Sequence, residues 1–192
     1  MKNLNDYIIE SLLDDFDELD KDVQQNTKKI VIKFLIDNYI LNGGTISPDD
    51  KKIKISNKPN KDGKYVVDVD DGLIIKNRDI YTLTNNIFVF GKVKKYFSCA
   101  KCNNLTSLEG APKEVGSHFS CNNCNNLTSL EGAPEKVKGA FDCSGSNIIS
   151  LKGSPKEVGG DFCCVSCPNL NTYEDAPQKV GGNIYSDFPD FH

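Results

Sequence analysis

A repeat dominates this chain and limits what it can fold into. The phenylalanines Phe97, Phe119, Phe141 and Phe162 open units spaced 22, 22 and 21 residues apart, and Ile184 opens a fifth. Within a unit the order is Phe-x-Cys-x-x-Cys-x-x-Leu-x-x-Leu, then Gly-Ala-Pro or a close variant, then Val. Leu105, Leu127, Ile148 and Leu170 therefore share a column, as do Val115, Val137, Val158 and Val180. Self-similarity at this period is the mark of a solenoid. Units this small cannot bury their own apolar residues, so neighbouring units supply the core and the ends need caps. Phe and the first Cys stand two residues apart, which puts both on one side of a strand. Stacking then predicts a parallel sheet with those side chains behind it. Gly and Pro in each "EGAP" segment disfavour an α-helix in the return arc. That arc is expected to be extended or a single 3₁₀ turn.

Ahead of the repeats the pattern changes. Leu4, Ile8, Leu12, Phe16, Leu19 and Val23 recur every three or four residues as a helical stripe, with "DDFDELDKD" as an acidic face. Asn26 is expected to cap a second helix, "TKKIVIKFLIDNYIL", that Gly43 and Gly44 end. That segment is apolar nearly all round, so it should be well buried. Its β-branched residues leave a strand open for "KIVIKFLI". Residues 52–55 and 65–69 alternate in polarity around the turn pair Asp62-Gly63, which predicts a β-hairpin.

The spacing of the repeat resembles the leucine-rich repeat, whose core reads L-x-x-L-x-L-x-x-N/C-x-L. "FSCNNCNNL" matches a longer form that ends C-x-x-L, and "FDCSGSNI" (141–148) fits the shorter asparagine-type form, with Ser146 in the polar slot. "LIIKNRDIYTL" (73–83) fits as a degenerate first repeat before an insertion around "TNNIFVFG", and "LTSL…P" is similar to the short bacterial subtype. The expected fold class is thus α+β. A leucine-rich-repeat-like solenoid with a parallel β-sheet spans 73–192, a helical cap spans 1–44 and a hairpin region spans 45–72.

The cysteines admit two readings. Cys99, Cys102, Cys121 and Cys124 have the spacing of a four-thiolate zinc site, and Cys164 and Cys167 add a third pair. In register, however, Cys99, Cys121, Cys143 and Cys164 fill one inward strand position. Cys102, Cys124 and Cys167 fill the slot where the resembled family bonds loop backbone. Ser146 in that slot suits a hydrogen-bonding ladder and not a ligand set. The ladder, with no cofactor, is the main expectation, and zinc is the alternative.

Net charge is −4 with a pI near 5.2, which argues against a nucleic-acid partner. No apolar run approaches the ~18 residues of a membrane span. No secretory signal is visible at the start, so eight reduced thiols in a bacterial or host cytoplasm are expected. Two histidines and no tryptophan leave little for His-based catalysis, and no catalytic constellation is found. "DVDDG" (68–72) has a partial likeness to a calcium loop but lacks its closing ligand. Function is expected on the outward strand positions, as a non-enzymatic protein-binding face. Tyr96, His118 and Asp161 come from its first column, Asp142, Cys163 and Tyr185 from its second, and Asn122 and Val165 from its third. Cys163 breaks its column and has no general base beside it in the sequence. Finally, "MKNLNDYIIES" is similar to the cleavable targeting peptides of phage head proteins, which implies a cut after Ile8-Ile9-Glu10 and a virion location as the alternative. An ordinary amphipathic first turn explains the same residues. The repeat phrase also resembles repeat proteins common in phage genomes.

Overall fold

The computed structural model describes residues 4–42 and 44–187, with side chains from residue 21 onward. The two helices expected from the sequence are one, α1 (Leu4–Asn38). Asn26 lies inside it, and among its described side chains Val31 and Leu35 are fully buried, in line with Tyr39 just beyond its end, while Ile30 is 51% exposed. The segment is therefore amphipathic and not buried all round. The helix stops at Asn38, short of the glycines. The Asn38 side-chain amide donates to the Phe34 carbonyl at 2.9 Å, and its own carbonyl takes the Lys76 N–H at 2.9 Å. Residue 38 thus ties the helix end to the first coil. Residues 8–10 of the proposed cleavage motif lie within α1, and their side chains are outside the described set.

After the helix come β1 (Tyr39–Leu41), β2 (Gly44–Thr45), β3 (Ile53–Ile55), β4 (Tyr65–Val69), β5 (Leu73–Ile75) and β6 (Phe88–Val93). β3 and β4 form the expected antiparallel pair, Ile53 opposite Val69. The repeat units then add β7 (Phe97–Ser98), β8 (Glu114–Val115), β9 (Phe119–Ser120), β10 (Lys136–Val137), β11 (Phe141–Asp142), β12 (Glu157–Val158), β13 (Phe162–Cys164), β14 (Lys179–Val180) and β15 (Ile184–Ser186).

These strands make a β-solenoid with two sheets. The first has eight strands in the order β15-β13-β11-β9-β7-β5-β1-β2, and the second has seven in the order β14-β12-β10-β8-β6-β4-β3. From β5 to β15 and from β4 to β14 the neighbours are parallel. A single parallel sheet was expected, and the return arc holds a second one. "TNNIFVFG" carries β6, whose Lys92 and Val93 lie opposite Glu114 and Val115 of β8, and the arc from Leu73 to Val93 is two residues longer than that from Phe97 to Val115.

The core lies between the sheets. Phe97, Phe119, Phe141 and Phe162 are fully buried and stacked, with centroids 5.5, 5.1 and 5.5 Å apart and planes within 12°. Tyr39 closes the helical end of this column. It packs on Phe90 and Phe97, and its hydroxyl donates to the Leu83 carbonyl. Coil corners need left-handed backbone. Gly110, Gly132 and Gly153 share one such corner at φ 84–87°, and a Cβ on Gly132 would fall 2.3 Å from the Glu109 nitrogen.

"DVDDG" serves this architecture. Asp70 pairs with Lys54 and Lys94, while Asp71, 1% exposed, pairs with Lys52 at 2.6 Å and Lys95 at 2.8 Å and takes the Gly72 N–H. One carboxylate joins the hairpin to the first coil. Lys52, Lys95 and the Gly72 N–H hold its carboxyl well below the usual carboxylate range. A depressed folded value gives stability that is present above the unfolded pKa, ~3.9, and lost as pH falls through the folded one. Asp71→Asn is therefore expected to cost about 2 kcal/mol at pH 7, less than a fully buried pair because both lysines are half-exposed. The difference from wild type should shrink steadily below about pH 4 in urea titrations. A pH-independent difference would assign the loss to packing instead.

Candidate functional site

Alternation along each first-sheet strand sends Phe and Cys inward and the residue between them outward. In register this lines up Ser98, Ser120, Asp142, Cys163 and Tyr185 on five neighbouring strands. Strands in such a sheet stand ~4.8 Å apart, so the line is a continuous strip. Asp142, Cys163 and Tyr185 are immediate neighbours, and Tyr185 is 46% exposed.

Several expected contact residues also hold the coils together. The His118 Nδ1 accepts the Ala140 N–H at 3.1 Å, and the Asp161 Oδ1 accepts the Asn183 N–H at 2.8 Å. Both occupy the same column and do the same work, receiving a main-chain donor from the next coil. Asp142 takes the Asn122 side-chain amide at 2.7 Å and the Ser144 N–H at 3.0 Å. Asn122 is thus spoken for as well. The Tyr96 ring lies where a side chain at Gly72 would be, 2.6 Å from an added Cβ. Val165 is half-buried at the edge of the strip. His118 and Asp161 are two coils apart, so they form no acid–base pair.

Cys163 is half-buried between Asp142 and Tyr185. Burial, and then the carboxylates of Asp142 and Asp161, push its thiol up. That environment opposes the thiolate a nucleophile needs.

The inward cysteines build a ladder. The Cys102 N–H reaches the Cys124 sulfur, which bonds the Cys99 carbonyl at 3.2 Å. One coil on, the Cys124 N–H meets the Ser146 Oγ at 3.0 Å, which donates to the Cys121 carbonyl at 3.0 Å. Next, the Ser146 N–H reaches the Cys167 sulfur, which bonds the Cys143 carbonyl at 3.5 Å. Hydroxyl and thiol play the same part. Burial pushes Cys102 to about 11 and Cys164 to about 12, so both are neutral thiols at pH 7. Hydrogen bonding between paired cysteines raises Cys99 and Cys143 and lowers Cys124 and Cys167. Among the described residues no three His, Cys, Asp or Glu side chains come together as a group that could hold a metal. The six cysteines of the zinc alternative are all among them.

A second feature went unread in the sequence. On the outer face of the second sheet Lys92, Glu114, Lys136, Glu157 and Lys179 stand opposite one another in register. The Lys92–Glu114 contact is 2.9 Å and the Lys136–Glu157 contact 2.5 Å. The signal was there: charges alternate in sign down one column at the period of the repeat. A groove of 590 Å³ beside α1 is lined by Lys28, Ile32, Lys33, Ile36 and Pro48. No helix among the described residues is long and apolar enough to cross a membrane. Comparison with protein-family models, curated proteins and solved structures finds no match to this chain.

Proposed function

We propose that this chain is a non-enzymatic interaction protein of bacterial or phage type, built on repeats related to the short leucine-rich repeat, that binds a partner protein through the outward face of its first sheet. The observation that carries this reading is the strip from Ser98 to Tyr185, a flat run of chemically mixed side chains across five parallel strands. Sheets of stacked coils present such faces as extended binding surfaces. Asp142, Asp161 and Asp187 gather toward one end of it, which favours a partner carrying basic groups.

His118, Asp142 and Asp161 support the coils, so replacing them would confuse binding with folding. Ser120 is the cleaner probe. It sits within the strip, and its side chain makes no hydrogen bond among the described residues. Ser120→Arg is expected to leave the melting temperature within about 2 °C of wild type and to weaken capture of the cognate protein from host lysate at least about tenfold. Unchanged capture by a folded variant would move the interface off this face.

A further inference from the structure

Interior coils are sealed by the coil that follows them. Val115, Val137 and Val158 are at most 1% exposed, and Phe119, Phe141 and Phe162 are fully buried. In the last coil among the described residues the same columns hold Val180 and Ile184, and both are only half-buried. β14 and β15 are the outer edges of their sheets.

The backbone is open in a defined sense too. In the first sheet the bonds run forward, from the Phe119 N–H to the Ala140 carbonyl, Phe141 to Asp161 and Phe162 to Asn183. The Ile184 N–H is the next donor in that series. In the second sheet they run backward, from the Lys138 N–H to the Val115 carbonyl, Gly159 to Val137 and Gly181 to Val158. The Val180 carbonyl is the next acceptor. The Lys–Glu alternation of this sheet also stops at Lys179, so the next position in the ladder calls for an acid.

We propose that this end of the stack is a docking edge for an extended segment of a partner protein. The segment adds parallel to β14 and β15, with Asp or Glu opposite Lys179, an aliphatic residue opposite Val180, and an apolar residue four positions later opposite Ile184. Charge selects this occupant over a second copy of the chain. Antiparallel pairing of two β14 strands about a two-fold axis sets Lys179 against Lys179 in one register and against Gly181 in the next, and offers it an acid in neither. Head-to-tail stacking sets it against β3, whose one charged residue, Lys54, already takes Asp70, so β3 offers Lys179 no acid. The edge lies at the end of the solenoid and not on the outward face, so either site can fail without the other.

The chain itself supplies a probe. Residues 113–120, Lys-Glu-Val-Gly-Ser-His-Phe-Ser, carry the required acid, aliphatic and aromatic at the required spacing. A fluorescent peptide of that sequence should bind the full chain in anisotropy titrations, and a scrambled peptide should not. The peptide with Glu114→Lys should bind about five-fold more weakly. Lys179→Glu in the protein should invert the order of the two peptides. Equal binding of both peptides, failure of the inversion, or binding of neither overturns the proposal. Binding that appears only after residues 188–192 are deleted gives the edge to those residues and overturns it as well.

Discussion

Phe141→Ala is expected to lower the unfolding free energy by about 4 kcal/mol and to split one urea transition into two. The ring is fully buried and lies between two near-parallel neighbours, 5.1 Å from Phe119 and 5.5 Å from Phe162. Truncation removes both contacts. The void cannot close, because β11 is held in register by parallel neighbours on each side. In a stack whose coils touch only the next coil, a weak middle interface lets the two ends melt separately. Phe162→Ala loses one ring partner instead of two and should cost less. A single transition with a loss below about 1.5 kcal/mol would show that the phenylalanine column is not what couples the coils.

The second large effect concerns Ser146. Ser146→Ala removes the side chain that receives the Cys124 N–H and donates to the Cys121 carbonyl, and leaves two buried main-chain groups unmet. The expected cost is about 3 kcal/mol. Ser146→Cys should recover most of it, because thiols at Cys124 and Cys167 already make the same two bonds in neighbouring coils. Thermal denaturation of the three proteins in reductant checks this. Equal losses for alanine and cysteine would mean that the slot selects for size and not for hydrogen bonding.

How far these features were legible depends on how local their cause is. The phenylalanine column needed only a period and a strand's two-residue alternation. Ser146 could be placed because a polar slot tolerates hydroxyl for thiol while a ligand set does not. The second sheet escaped, since strands of two residues such as Lys136–Val137 are too short to show any alternation of their own. They exist because neighbours hold them in register. The helix was misdivided for a related reason. Asn26 is a good capping residue, but nothing at residue 26 forces a break, whereas Asn38 is fixed by a contact to Lys76 that lies far off in sequence. Likewise the outward positions of His118 and Asp161 followed from alternation. Their hydrogen bonds to the next coil depend on the offset between strands, which no single unit reveals.

The charge ladder makes the true repeating unit of this solenoid two coils long. Lys113-Glu114, Glu135-Lys136 and Lys156-Glu157 swap sign order from one coil to the next, although the Phe and Val columns beside them repeat each time. Gain or loss of a single coil by recombination would therefore set like charges side by side at the junction, lysine beside lysine or glutamate beside glutamate. Gain or loss of a pair would leave the pattern intact. Length changes by an even number of coils therefore keep every lysine of this column beside a glutamate, and odd changes leave one like-charged junction.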